Sequence, residues 1–226
     1  MISIPLEGYA IARQGTAGFD AQIFLLNIGE NVGNINYALL PPRQVAGCDR
    51  FKVRRDAEKR LLARSFLYEL CAGEYGLSDF ELATGPFGKP FLKAKPQLQF
   101  SFSYSDDYLL IGLSEKGKIG VDIVCTGYNL STGSLAREIM HEEELRRYNA
   151  FEPDDDRKRG FLFRTFAAKE AIVKAFGTGF HSDLKSLNTL EQDSFWYEGA
   201  AFRLDEISFG EYPCAMAVCC ENPTRQ

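Results

Sequence analysis

The sequence predicts an α/β (α+β) fold of two similar lobes packed against each other as an intrachain pseudo-dimer. Two observations lead there. Helix, glycine break, Ser-Asp loop and apolar strands follow one another in residues 56–114 and again in 161–220, the Ser-Asp pairs being Ser78-Asp79 and Ser182-Asp183. A chain of 226 residues that is 45% hydrophobic can also bury a sizeable core, as one large domain or two small ones. The expected division is an N-terminal lobe over 1–117 and a C-terminal lobe over 118–226.

In chain order, residues 1–50 are a weakly patterned start, rich in Gly and Asn, that ends in the turn signal Pro41-Pro42. A helix begins near Arg55, because Ala57, Leu61, Leu62, Phe66 and Leu70 recur at helical spacing before Gly73 and Gly76. GPFGKPF (85–91) reads as a loop by its glycines and prolines. QFSFSYS (99–105) alternates polar and apolar residues and YLLIGLS (108–114) is continuously apolar, so both read as strands. Lys116-Gly117 makes a turn into the next strand, KIGVDIV (118–124). A helix over LAREIMHEEELRRY (135–148) and a charged loop over 151–160 precede a long helix from Gly160 to Phe176, ended by Gly177 and Gly179. The strands 195–209 and 212–220 close the chain.

Composition excludes several classes of function. No apolar run approaches the roughly 20 residues of a membrane span, and the N-terminus lacks a basic start followed by an apolar stretch, so the cytoplasm is the expected compartment. A net charge of −5 argues against a general nucleic-acid binder. Cys48, Cys71, Cys125, Cys214, Cys219 and Cys220 form no C-x-x-C pair and read as buried thiols. His141 and His181 are too far apart for H-E-x-x-H chemistry, and no G-x-S-x-G or G-x-G-x-x-G turn is present.

Strand alternation over 118–124 turns Ile119, Val121 and Ile123 one way, into the core, and Gly120, Asp122 and Val124 the other. A lone carboxylate in an apolar strand beside a glycine either caps a loop at the strand end or serves something that the glycine lets approach. The helix over 164–176 is apolar on most sides and therefore buried, yet it carries Lys169, Glu170 and Lys174. Glu170 and Lys174 make either an i,i+4 ion pair, worth about 0.3–0.5 kcal/mol if exposed, or a buried acid that needs a metal or a proton to accept. Gly88-Lys89-Pro90 is no Walker A loop, since Pro90 stands where Ser or Thr is required; it is a plain turn or a way to bring one cation to a phosphate. Arg54, Arg55, Lys59 and Arg60 near a helix start are a solvated face or a phosphate site.

Together, Gly88-Lys89-Pro90, then Gly120-Val121-Asp122-Ile123, then Phe166-Ala167-Ala168-Lys169-Glu170-Ala171-Ile172-Val173-Lys174 resemble the three ordered signatures of the 4'-phosphopantetheinyl transferase superfamily, in its two-lobed monomeric (Sfp-type) branch. FSFSYSDDYLLIGLS and YPCAMAVCC also resemble family segments, and the likeness covers about residues 50–220. The resemblance implies the 4'-phosphopantetheinyl transferase fold, with coenzyme A in a cleft between the lobes. It also implies transfer of the phosphopantetheine arm of coenzyme A to a serine of an apo acyl, polyketide or peptidyl carrier protein, by a monomer.

By the same resemblance, Asp122 and Glu170 hold Mg²⁺, and Glu170 is the general base. Lys174, Lys89 and Pro90 lie at the phosphates, Ser103 and Tyr104 lie near the nucleotide, and Arg54, Lys59 or Arg60 meets the 3'-phosphate. Two positions depart from the family pattern. Val124 stands where the strand usually ends in Glu, and Tyr104 stands in place of His. The first leaves two protein carboxylates for the metal. The second replaces a group able to carry charge with a neutral hydrogen-bond donor. A coenzyme A or carrier-binding module with a degraded metal site is the alternative that Val124 raises.

Overall fold

Strand β1 (Ile11–Gly15) pairs antiparallel with β2 (Ala21–Asn27) in the computed structural model, so the N-terminal stretch already contributes to a sheet. The structure describes residues 11–15, 21–48, 51–77, 80–124, 132–153, 155–179, 183–190, 194–197, 200–209 and 212–219. After β2 come the short helices α1 (Ile28–Asn31) and α2 (Pro42–Ala46) and the long α3 (Arg54–Tyr75). Helix α3 runs through Gly73, where the sequence pattern expects its end. It stops at Gly76, whose φ of 65° is the left-handed conformation that turns its N–H back onto Cys71 O. The hairpin of β3 (Leu82–Thr84) and β4 (Pro90–Leu92) encloses the glycine-proline turn, and β5 (Gln99–Tyr104) and β6 (Tyr108–Ser114) follow.

The first sheet has the order β1-β2-β6-β5, all antiparallel. One face carries Phe24, Leu26, Leu109, Ile111 and Leu113 against Leu62, Phe66 and Leu70 of α3. Phe24 and Phe66 meet edge to face at 5.3 Å, and burying a side chain of this size contributes about 1.5–3 kcal/mol. The other face carries Ile23, Leu25 and Leu110 into a second cluster. Burial on both faces is why AQIFLLN and YLLIGLS show no alternation.

That second cluster is completed by β7 (Ile119–Ile123), whose Ile119, Val121 and Ile123 point into it, as the strand pattern predicts. Helices α4 (Thr132–Ile139), α5 (Glu142–Asn149) and α6 (Asp156–Phe176) come next, then β8 (Ser194–Tyr197), β9 (Ala200–Phe209) and β10 (Tyr212–Cys219). Strands β7-β10-β9-β8 form an antiparallel sheet, and α6 packs along it through Phe163, Ala167 and Ala171, in one cluster with Phe202 of β9.

Three sequence expectations are corrected here. The helix expected over 135–148 is two helices, because His141 breaks it with a capping box: its Nδ1 accepts from Glu143 N while Glu144 Oε2 accepts from His141 N. Helix α6 starts within the supposed charged loop, at Asp156, because Asp155 caps it by accepting from Arg157 N. The strand expected over 195–209 is the hairpin β8–β9.

Strands β5 and β7 meet without a backbone ladder. Ser101 Oγ accepts from Val121 N and Ser103 Oγ from Ile123 N, each at 3.2 Å, so serine hydroxyls satisfy the edge of β7 that β10 does not pair. Cys48 and Cys71 are buried free thiols; the Cys71 thiol is pushed up to about 12 by burial. Expectations that rest on Ser78-Asp79, Ser182, His181, Cys125 and Cys220, and on the side chains of Cys214 and Cys219, lie outside the described residues. Among the described residues no helix is long and apolar enough to cross a membrane.

Candidate active site

Helix α6 lies so close to β7 that a Cβ on Gly120 would sit 1.9 Å from Ala171 O and 2.4 Å from Ala175 N. What the glycine admits is therefore the helix backbone itself. The close approach puts the side chains of Asp122 and α6 within reach of each other. Asp122 is 6% exposed. Its Oδ1 accepts from Lys174 Nζ at 2.5 Å and from Ser103 Oγ at 2.7 Å, and Lys174 Nζ also donates to Ser103 Oγ at 3.0 Å. Residues from β5, β7 and α6 thus close one polar triangle. The i,i+4 pair of Glu170 with Lys174 is not the bond that forms; the lysine goes to Asp122.

Glu170 opens with Asp122 on a cleft of about 450 Å³, which Val124, Ser105, Phe163 and Lys174 also line. Its carboxyl is held above the ordinary range, first by desolvation, then by the like charge of Asp122, with Lys174 acting against both. Val124 shares this wall, as alternation predicts, and is packed with Phe163 and Ala167.

A neighbouring cavity of about 570 Å³ is lined by Arg60, Arg64, Lys89, Pro90, Tyr104 and Lys174 among others, and shares Phe102, Tyr104 and Lys174 with the cleft. One side of the joint space is anionic and the other cationic, with Lys174 on the boundary. Burial raises the Tyr104 hydroxyl to about 12, so it stays a neutral donor.

The structure separates the predicted basic residues. Arg60 reaches the cavity, its guanidinium 4.6 Å from the Phe51 ring centroid and 5.6 Å from that of Tyr104. Arg54 is exposed and paired with Glu58, and neither it nor Lys59 is among the cavity's lining. Lys89 lines the cavity, but its ammonium donates to Ile119 O at 2.9 Å and Ala175 O at 3.1 Å, tying the loop to β7 and to the end of α6. Arg64 and Gln44 escaped the sequence reading. Arg64 lies one helical turn beyond Arg60, so the i,i+4 spacing in RLLAR was the available signal. Gln44 had none.

The donor set suits a hard divalent cation. Two carboxylates, those of Asp122 and Glu170, line the cleft, and Ser105 Oγ, buried in the same lining, has no hydrogen-bond partner among the described residues. Among the described residues no three or more acidic, His or Cys side chains are placed to hold a metal ion together, so a cation between two carboxylates would complete its shell with other oxygens. Mg²⁺ commonly binds that way, through one or two carboxylates plus phosphate and water.

Comparison with known proteins fits this chemistry. The family model described as 4'-phosphopantetheinyl transferase superfamily matches residues 118–217, which contain both carboxylates and Lys174. Over those residues, less than half of its length, the chain is similar to the 4'-phosphopantetheinyl transferase superfamily. It is 26% identical over 148 residues to a 4'-phosphopantetheinyl transferase of Bacillus subtilis, covering 65% of this chain and 64% of the relative. It is 32% identical over 161 residues to the L-aminoadipate-semialdehyde dehydrogenase-phosphopantetheinyl transferase of Eremothecium gossypii, covering 67% and 58%. With the 4'-phosphopantetheinyl transferase AcpT of Salmonella typhi it shares 33% identity over 97 residues, covering 43% and 50%. The chain spans less than two thirds of the length of each of these relatives.

Proposed function

We propose that this chain transfers the 4'-phosphopantetheine group of coenzyme A to a serine of an apo carrier protein, releasing adenosine 3',5'-bisphosphate. The observation that carries the reading is the joint space described above: an Asp122–Glu170 cleft opening beside a cavity lined by Arg60, Arg64 and Lys174. A ligand with a pyrophosphate at one end of a nucleotide and a further phosphate at the other matches that division of charge. Arg60 and Arg64 would meet the 3'-phosphate, with Lys174 and the Tyr104 hydroxyl nearer the pyrophosphate.

Asp122 and Glu170 would hold Mg²⁺, which when bound neutralises pyrophosphate charge and stabilises the departing phosphate. The carrier serine oxygen bonds to the phosphorus bearing the pantetheine arm. The bond from that phosphorus to the bridging oxygen breaks, and its electron pair leaves with adenosine 3',5'-bisphosphate. Glu170 takes the serine proton. Desolvation and the nearby Asp122 raise its basicity above that of an ordinary carboxylate, and a positioned base contributes about 10²–10⁴-fold. Lys174, freed from Asp122, neutralises phosphate charge. Lys89 holds the loop in place through its two carbonyl contacts.

The finer expectations belong to the same proposal. The first sheet with α3 and the second with α6 form a pseudo-dimer of lobes divided between residues 117 and 118, acting as a cytoplasmic monomer. Its support is that each sheet has four strands and one long helix, and that the site uses residues of both. The test is mass spectrometry of a panel of apo acyl, polyketide and peptidyl carrier proteins incubated with the chain, coenzyme A and Mg²⁺. A gain of one phosphopantetheine on a carrier, abolished by Glu170→Gln and by Asp122→Asn, is expected. Coenzyme A binding without transfer to any carrier would favour a binding module instead, the reading that the apolar Val124 keeps open.

A further inference from the structure

Lys174 makes its shortest contact with the carboxylate that the proposed function assigns to a cation. Its ammonium lies 2.5 Å from Asp122 Oδ1 and 3.0 Å from Ser103 Oγ, and its side chain is 29% exposed, on the border of the two cavities. Ser103 is fixed in turn by accepting from Ile123 N, so the triangle is built into the β5–β7 junction. An ammonium and a divalent cation cannot both sit against Asp122 Oδ1 without strong repulsion. The same lysine lines both the cleft and the neighbouring cavity, and it moderates the charge on Glu170, one turn earlier on α6.

We infer that Lys174 is a hand-over residue. It neutralises Asp122 while the cleft holds no divalent cation, and turns to the phosphates of the ligand when the cation takes its place. The inference rests on the reading of the site as one for a divalent cation and a phosphate-bearing ligand, and adds a coupling between the two. Each ligand pays part of the cost of displacing one lysine, so each favours the other. Cation binding frees an ammonium for the phosphates, and phosphate binding vacates a carboxylate for the cation. This coupling runs in addition to any direct cation–phosphate contact, and a double-mutant cycle isolates it.

Coenzyme A binding is measured by calorimetry in EDTA, where no divalent cation contributes. Asp122→Asn releases Lys174 and tightens coenzyme A about tenfold, within the 5–150-fold range usual for coupled sites. In a Lys174→Met background the same substitution changes affinity less than twofold. Equal tightening in both backgrounds means that Asp122 acts by direct repulsion, and no tightening in either means that Lys174 is not withheld from the ligand; each result overturns the inference. A second measurement covers a poorly folded Asp122→Asn variant. Mn²⁺ binding followed by electron paramagnetic resonance tightens severalfold in Lys174→Met without coenzyme A, and the factor by which coenzyme A then improves it shrinks. An unchanged factor refutes the hand-over. Failure of the wild-type chain to bind coenzyme A even with Mg²⁺ refutes the functional reading instead.

Discussion

Gly120→Ala tests the close approach on which the site depends. The added Cβ would stand 1.9 Å from Ala171 O and 2.4 Å from Ala175 N, while ordinary contact begins near 3.4 Å. Both obstacles are helix backbone, so no side-chain rotation relieves them and α6 must retreat by about 1.5 Å. Overpacking a core typically costs about 1–3 kcal/mol, and a backbone obstacle places this substitution at the upper end. At about 3 kcal/mol, a chain of this size loses about 6–12 °C in Tm. Retreat of α6 also carries Glu170 and Lys174 away from Asp122, and a misplacement of about 1 Å can cost about 10²-fold in rate. Calorimetric melting and the carrier mass assay read the two effects. Gly33→Ala is the control, since its Cβ would meet nothing within 4 Å. A Gly120→Ala protein that melts within about 2 °C of wild type and transfers at an unchanged rate would refute the packing argument.

Three further outcomes follow from the same contacts. Lys169 and Glu144 form a fully buried pair at 2.6 Å, with Lys169 also donating to Ile139 O, Leu184 O and Leu187 O. Lys169→Met strands the acid and costs about 3–5 kcal/mol; adding Glu144→Gln restores part of that in urea unfolding, and purely additive losses would contradict the pairing. Val124→Glu puts a carboxylate into apolar packing that also borders the cleft, so Tm falls in EDTA and recovers in Mg²⁺, whereas a loss that Mg²⁺ leaves untouched means the side chain points away from the cation. The third concerns Glu170, whose carboxyl is raised by desolvation first and Asp122 second. A raised folded-state value contributes stability that is complete below the ordinary carboxylate range and is lost as pH rises through the folded value. Metal-free protein should therefore lose Tm with rising pH more steeply than Glu170→Gln, and parallel curves for the two would refute the assignment.

The site was legible in the sequence where its chemistry is local, and hidden where it depends on distant packing. Strand alternation placed Asp122 and Val124 on one face because a seven-residue pattern suffices for that. It could not say that Gly120 admits a helix rather than a ligand, since the helix arrives from about fifty residues later. Glu170 and Lys174 look like partners at i,i+4, a pair worth only a few tenths of a kcal/mol when exposed. A buried carboxylate on β7 outcompetes that pair, because Asp122 would otherwise lack a charge to balance it. β2 was hidden for the converse reason: burial on both faces erases the alternation by which strands are read.

The serines of QFSFSYS alternate with apolar residues, a pattern that in antiparallel sheets commonly marks a face turned to water. The structure instead turns Ser101 and Ser103 onto the edge of β7, and Ser103 continues into the Asp122–Lys174 contact. A polar stripe at strand spacing therefore has two physical readings, solvent or a neighbouring backbone, and the composition of the next strand discriminates between them. Here IGVDI offers apolar residues on one face and a single acid on the other, so its unpaired N–H groups need hydroxyl acceptors if it is to be buried. On that reasoning Ser103→Ala should disturb two things together: the saturation of Ile123 N and the seating of Lys174. A loss of stability accompanied by tighter metal-free coenzyme A binding would tie the junction between the sheets to the placement of the lysine, while a stability loss alone would confine Ser103 to the backbone.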